Sequence, residues 1–267
     1  MNDDIKSLPP LPESIQKIQQ LCAQPEVDMS KLTKVIEGDP MLSANILKSV
    51  NSPLYGMSKE IVSIHQAVML FGVSMIRGFA AANAIKKSLS VDLAPYETSI
   101  ERLSEISALQ LALVREWFGN VDKSRLNLLT SGAFLMELGK IITSKRLLLS
   151  GAWKPFTKEI SEGEAIWEAE KHYLNTDSYA VAAAMFEHWN FDKTLVDAIA
   201  SISFDDAQEN GAVLRAISRA INLRAILEES GVALALEIVE RGGLDKEPFV
   251  KAVERIRERM GTQKGNG

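Results

Sequence analysis

The chain has 267 residues, 46% of them hydrophobic and 24% charged, with a net charge of −5, three histidines and one cysteine. That length and mix suit a globular protein of one large or two small domains, and a single cysteine excludes an internal disulfide or a cysteine-rich zinc site. An acidic pI near 5.4 argues against a dedicated nucleic-acid binder, no apolar run reaches the ~20 residues of a membrane span, and the start Met1-Asn2-Asp3-Asp4 lacks the marks of a secretion signal, so the cytoplasm is the expected compartment.

Helices are predicted almost throughout, with neither the alternation nor the turn-bounded β-branched runs of strands. Leu8-Pro9-Pro10-Leu11-Pro12 reads as an extended lead-in. A helix from about Glu13 to Ala23 turns Ile15, Ile18, Leu21 and Cys22 inward, which makes Cys22 a buried thiol rather than a nucleophile. A second helix starts near Ser30 and stops at Gly38. Asp39 caps the next helix and Pro40 takes its first position, where no N–H partner is needed. Asn51-Ser52-Pro53-Leu54-Tyr55-Gly56 breaks that helix with turn chemistry. Ser63-Ile64-His65-Gln66 has capping-box spacing, opening a helix that ends at Phe71-Gly72, and Ser74 can cap the one after.

Thr98-Ser99-Ile100-Glu101 is a second capping box, ahead of a long helix to about Phe118. Lys123 to Leu149 is strongly apolar and helical, interrupted by Gly132 and Gly139. Ser161-Glu162-Gly163-Glu164 reads as a third capping box, and Asp177 and Asp192 as caps of the following helices. From Asp205 three more helices are expected, broken near Gly231 and Gly242-Gly243, and then a polar Gly261–Gly267 tail.

Common catalytic signatures are missing. The chain has no H-E-x-x-H, no phosphate-binding G-x-x-x-x-G-K-[ST], no G-x-G-x-x-G and no G-x-S-x-G. His65, His172 and His188 are isolated from one another and read as packing or helix-face residues.

Four ordered segments carry a resemblance: Leu8-Pro9-Pro10-Leu11-Pro12, Ile36-Glu37-Gly38-Asp39-Pro40-Met41-Leu42, Asn51-Ser52-Pro53-Leu54-Tyr55-Gly56 and Ala67-Val68-Met69-Leu70-Phe71-Gly72. Together they resemble the HDOD domain, an all-helical bacterial signalling module related to HD metal-dependent phosphohydrolases. Weaker likeness runs through Leu138-Gly139-Lys140 and the Trp189 region to about residue 205. The resemblance implies an all-α fold. An N-terminal helical subdomain (about 8–90) would pack on a degenerate HD-like one (about 96–205), within an HDOD domain of 8–205, with a C-terminal helical extension at 206–260.

HD hydrolases hold metal with a first His, a His-Asp pair and a final Asp. Aligned on Leu138-Gly139-Lys140, Met136 stands where the pair's His would be and Glu137 where its Asp would be. Ser178 falls where related chains often carry another His. The first His and the final Asp are left unassigned. A thioether is a poor ligand for hard divalent ions, so no metal, cofactor or catalysis is expected, and Glu137 is expected to pair with Lys140 at i+3. The family-motif residues Pro12, Asp39, Pro40, Asn51, Ser52, Gly72, Gly139 and Lys140 are expected to be structural. The implied role is a non-enzymatic output or adaptor module working by protein–protein contact. Its partner would be a response regulator, a histidine kinase or a cyclic-dinucleotide enzyme, with neither nucleic acid nor membrane involved. The rival readings are a nucleotide sensor in the former catalytic cavity and a residual phosphohydrolase.

Overall fold

The structure, a computed structural model, describes residues 5–6, 8–22, 24, 26–55, 57, 59–88, 92–119, 121–206 and 209–264. The expectations for Ala23, Gly56, the first four residues and the last three lie outside them. The described residues are helical with no strand; one isolated bridge pairs Ile221 with Ile226. Residues 9–90 form one compact unit, and residues 91–267 together with 1–8 form another.

In the first unit, α1 (Glu13–Cys22), α2 (Met29–Glu37) and α3 (Pro40–Val50) precede α4 (Ile64–Ser88), which is two helical segments broken at Gly72, where the sequence places the break. Each short helix buries a stripe at helical spacing: Ile15 and Ile18, then Leu32 and Ile36, then Leu42, Ile46 and Val50. All three pack on α4. Phe71 of α4 meets Tyr55 and Phe79 edge-on, with ring centroids 5.4 and 6.2 Å away. Helix α2 starts one residue earlier than expected, because Asp28 accepts a hydrogen bond from Lys31 N and caps it. Cys22 is half-buried rather than buried, and burial pushes its thiol up to about 11, so it stays protonated at neutral pH.

The second unit is built on α5 (Ile100–Phe118), whose residues from Ile106 to Val114 are all buried. Along it runs α6 (Lys123–Leu135), then a 3₁₀ turn Met136–Leu138, then α7 (Gly139–Ser150), so the apolar stretch is two helices hinged at the turn. Burial is unbroken from Leu129 to Ser144, the pattern of a segment enclosed on all sides. Next come α8 (Trp153–Ser161), α9 (Ile166–Leu174), α10 (Ser178–His188) and α11 (Lys193–Ala200).

The chain finishes with α12 (Glu209–Ala220), α13 (Glu229–Arg241) and α14 (Lys246–Lys264). The sequence sets these helices apart as an extension; the structure builds them into the second unit. Helix α12 packs on α5, α6 and α11, and α14 lies along α5, where Phe249 meets Trp117 with centroids 4.8 Å apart.

Two capping expectations are corrected. Ser99, not Thr98, caps α5, accepting from Arg102 N. Ser161 opens no helix: it is the last residue of α8 and donates back to the Lys158 carbonyl.

Candidate functional site

The motif residues of the first unit all have local structural partners. The Pro12 carbonyl accepts from Ile15 N and Gln16 N, starting α1. Asp39 Oδ1 accepts from Leu42 N at 3.0 Å, and Pro40 fills the first position of α3. Asn51 clamps the following irregular segment, donating to the Ile61 carbonyl and accepting from Ile61 N, both at 2.8 Å. The Ser52 carbonyl accepts from Tyr55 N and closes the turn. Gly72 breaks α4 at φ 78° and ψ 161°, a backbone region that side chains with a Cβ rarely enter.

In the second unit the residues assigned to the degenerate metal positions come together. Glu137 and Lys140 are 0% and 2% exposed, and their Oε2 and Nζ are 2.8 Å apart. Lys140 Nζ also donates to Ser178 Oγ at 2.9 Å. One ammonium therefore bridges the Glu137 and Ser178 positions, while Met136 is fully buried alongside in the turn. Gly139 makes this geometry possible: a Cβ there would lie 1.8 Å from the Ser178 carbonyl oxygen, so the start of α7 can approach α10 only as glycine.

Further side chains complete the network. Gln110 Nε2 donates to Glu137 Oε1 at 2.7 Å and to the Ile221 carbonyl at 2.9 Å, tying α5 and the residue after α12 into the site. Glu170 of α9 accepts from Ser178 N and from the Tyr96 hydroxyl, both at 2.7 Å. The Tyr96 and Thr143 hydroxyls share a hydrogen bond of 2.6 Å. Asp177 caps α10 through Tyr179 N and Ala180 N and also accepts from Ser203 Oγ.

The electrostatics follow from burial with paired charge. Desolvation disfavours the Lys140 ammonium, but Glu137, then Tyr179 and Glu170, outweigh it and raise its pKa. The Tyr179 ring adds a cation–π contact, 4.9 Å from Nζ to the centroid. Burial pushes the Glu170 carboxyl up, with Lys140, the Ser178 N–H and the Tyr96 hydroxyl pulling it back. Burial and the Glu137 charge push the Tyr179 hydroxyl up to about 12.

These positions do not fit a divalent cation. Glu137 already serves Gln110 and Lys140, Ser178 serves Lys140, Met136 offers a soft thioether, and the ammonium itself would repel a second cation. Among the described residues no group of three or more His, Cys, Asp or Glu is placed to hold a metal. His65, His172 and His188 are all exposed, and His172 Nδ1 lies 3.1 Å from Glu159 Oε2.

Glu170, Gln110 and Tyr96 carry the network but escape a reading by motif. A signal was present: Glu170 sits four residues from both Ile166 and Leu174 on a buried stripe, and Gln110 interrupts the stripe of Leu103, Ile106, Leu113 and Trp117. A polar residue on an apolar face needs a buried partner.

The geometry is that of an all-helical, HD-like scaffold in which an internal ammonium bridges two of the assigned ligand positions. The HDOD domain matches residues 8–203, and the chain belongs to that family. It is 35% identical over 71 residues to an uncharacterized protein of Treponema pallidum (strain Nichols), a stretch of 27% of this chain and 14% of that one. The chain thus spans a small part of that relative's length. Among solved structures it is similar to a candidate phosphohydrolase of Shewanella amazonensis SB2B, with TM-score 0.67, 18% identity, and 98% and 97% of the two chains covered. It is also similar to a candidate signal transduction protein of Marinobacter aquaeolei VT8, with TM-score 0.66, 20% identity, and 98% and 63% covered. At these identities the likeness is one of fold.

Proposed function

We propose that the chain is a non-enzymatic signalling module that acts by protein–protein contact in the cytoplasm, linked to two-component or cyclic-dinucleotide signalling. Its partner is a response regulator, a histidine kinase or a cyclic-dinucleotide enzyme. The observation that carries the non-enzymatic part is the Lys140 ammonium bridging Glu137 and Ser178. Metal-assisted phosphodiester hydrolysis needs a fixed cation to polarise the phosphoryl oxygen and to generate hydroxide near neutral pH. An ammonium polarises weakly and binds no hydroxide. Family membership supports the signalling class, as does the signal-transduction description of the Marinobacter protein. Exposed apolar side chains on the 9–90 unit, Met69 and Leu70 on consecutive positions of α4, offer a contact surface.

The test has two arms. Purified protein titrated with Mn²⁺, Fe²⁺ and Mg²⁺ is expected to bind none stoichiometrically and to hydrolyse no phosphodiester. Turnover that disappears in Glu137→Ala would overturn the non-enzymatic reading. Affinity capture from the native host is expected to recover a signalling protein that rebinds as a purified partner and loses affinity for Met69→Asp. Recovery of no partner that rebinds would overturn the adaptor reading.

A further inference from the structure

A cavity of about 430 Å³ opens among Trp167 of α9, the 205–206 turn, α12 and α13. Its volume lies in the range of small-molecule sites, roughly 300–1,000 Å³. Every lining residue except Trp167 lies beyond residue 203, where the family match ends, so this cavity is a property of the chain's C-terminal helices.

Three guanidiniums line it. Arg215 and Arg219 stand one turn apart on α12 and so share a face, and Arg241 comes from the end of α13. Arg215 pairs with Asp205 and donates to the Ile202 carbonyl at 3.3 Å. Arg241 is exposed and lies 3.8 Å from Glu237. Arg219 differs from both. It is 3% exposed, its guanidinium carbon lies 3.5 Å from the Trp167 ring centroid, and its Nη1 donates to Ser218 Oγ at 3.0 Å. Among the described residues no carboxylate forms an ion pair with it.

A buried guanidinium stays charged, and buried charges are ordinarily paired. The Trp167 face offsets part of the desolvation. Burial lowers the pKa of Arg219 and Arg215 beside it adds repulsion, which Tyr179, Asp177 and Glu168 offset only in part. The lining as a whole balances three guanidiniums with Asp205, Asp206 and Glu237, so what is lacking is a counter-charge in contact with Arg219 itself. An anion entering the cavity would supply the missing counter-charge.

The shape of the cavity narrows the class of anion. The guanidinium fork matches carboxylate and phosphoryl oxygens alike. Arg215 and Arg241 already face Asp205 and Glu237, which leaves the buried Arg219 as the guanidinium that an oxyanion would meet. The volume exceeds that of a bare oxyanion. Leu234 and Ile238 give it an apolar wall, and Asp205 and Glu237 at its margin can accept from hydroxyl or amino groups. We propose that this cavity binds a small phosphorylated molecule of nucleotide size, with its phosphoryl group on Arg219 and its polar remainder toward Asp205 and Glu237. The proposal does not rest on the signalling reading, since ligand binding and partner capture are measured separately. In a signalling module the ligand would be an input.

The experiment uses the full chain, titrated by calorimetry and thermal shift with inorganic phosphate, AMP, GMP, adenosine, guanosine and citrate. AMP or GMP is expected to bind saturably and raise the Tm, with the unphosphorylated nucleosides inert. Arg219→Gln is expected to weaken that binding by about tenfold or more, the loss of a charged hydrogen-bond pair. Because Arg219 is buried, Arg241→Gln serves as a second variant on an exposed side chain. It is expected to keep the wild-type helical circular dichroism and to weaken binding by about threefold or more. Three outcomes would overturn the proposal: no saturable binding of phosphate or either mononucleotide, undiminished binding in both variants, or citrate binding more tightly than the mononucleotides.

Discussion

Replacing Lys140 by Met removes the ammonium that faces Glu137 and Ser178 while nearly keeping the side-chain length. Glu137 then remains 0% exposed, with Gln110 Nε2 still donating to it but without the ammonium that stood 2.8 Å away. Breaking one side of a buried ion pair costs about 3–5 kcal/mol, because the remaining charge has lost both water and partner. At roughly 2–4 °C per kcal/mol for a chain of this size, the Tm should fall by about 6–20 °C. The double variant Glu137→Gln with Lys140→Met removes both charges and should recover most of that loss. A double-mutant cycle should therefore return a coupling of about 2 kcal/mol or more. The assay is urea unfolding of the wild type, both single variants and the double variant, followed by far-UV circular dichroism. A cost below about 1 kcal/mol for Lys140→Met, or strictly additive variants, would refute the claim that this pair holds the buried site together. So would a rise in wild-type Tm with Mn²⁺, since the ion would have to displace the ammonium.

Gly139→Ala places a Cβ 1.8 Å from the Ser178 carbonyl oxygen, so it should destabilise by about 1–3 kcal/mol or more. The gain of up to about 1 kcal/mol that alanine brings in an unconstrained helix would show in the urea midpoint as the opposite sign. Asn51→Ala leaves the Ile61 N–H and carbonyl without their 2.8 Å partners and should cost about 1–3 kcal/mol. Amide hydrogen exchange at Ile61 should accelerate, and unchanged protection there would contradict the clamp. Burial raises Glu170 above its usual 4.5, so the folded chain holds the extra proton between that value and the raised one. Glu170's contribution is therefore complete below about 4.5 and is lost as pH rises through the folded value. Relative to Glu170→Gln, the wild type should lose stability as pH climbs from 4.5, and a gain over that interval would reverse the sign of the argument.

The local devices of the fold were readable in advance. Asp39-Pro40, Asp177 and Asp192 cap their helices as their residue types dictate, and Ser63 accepts from Gln66 N while Gln66 Oε1 reaches back to Val62 N, one residue before the expected box partner, because a cap is decided within four residues. The same locality misleads at Ser161. The spacing of a capping box is present there, yet the serine ends α8, since a hydroxyl can also bond backward to a carbonyl three residues earlier. The site was half readable. Resemblance pointed to Met136, Glu137 and Ser178, and i,i+3 spacing paired Glu137 with Lys140. Nothing in the spacing joins Lys140 to Ser178, 38 residues on, or Gln110 to the Ile221 carbonyl, 111 residues on.

Sequence alone determined that this is a helical HDOD chain, where its helices are capped, and that its three histidines stand apart from the likeness to a metal pair. Those conclusions depend on neighbours a few residues away. Only the tertiary structure decided what the buried charges do. It brings Gln110, Glu170 and Tyr96 from separate elements around Lys140, folds the C-terminal helices against α5 and α6, and leaves Arg219 stacked on Trp167 at a cavity without an ion-pair partner among the described residues. A charge can be taken from water only with partners in place, and those partners come from wherever the chain's packing delivers them.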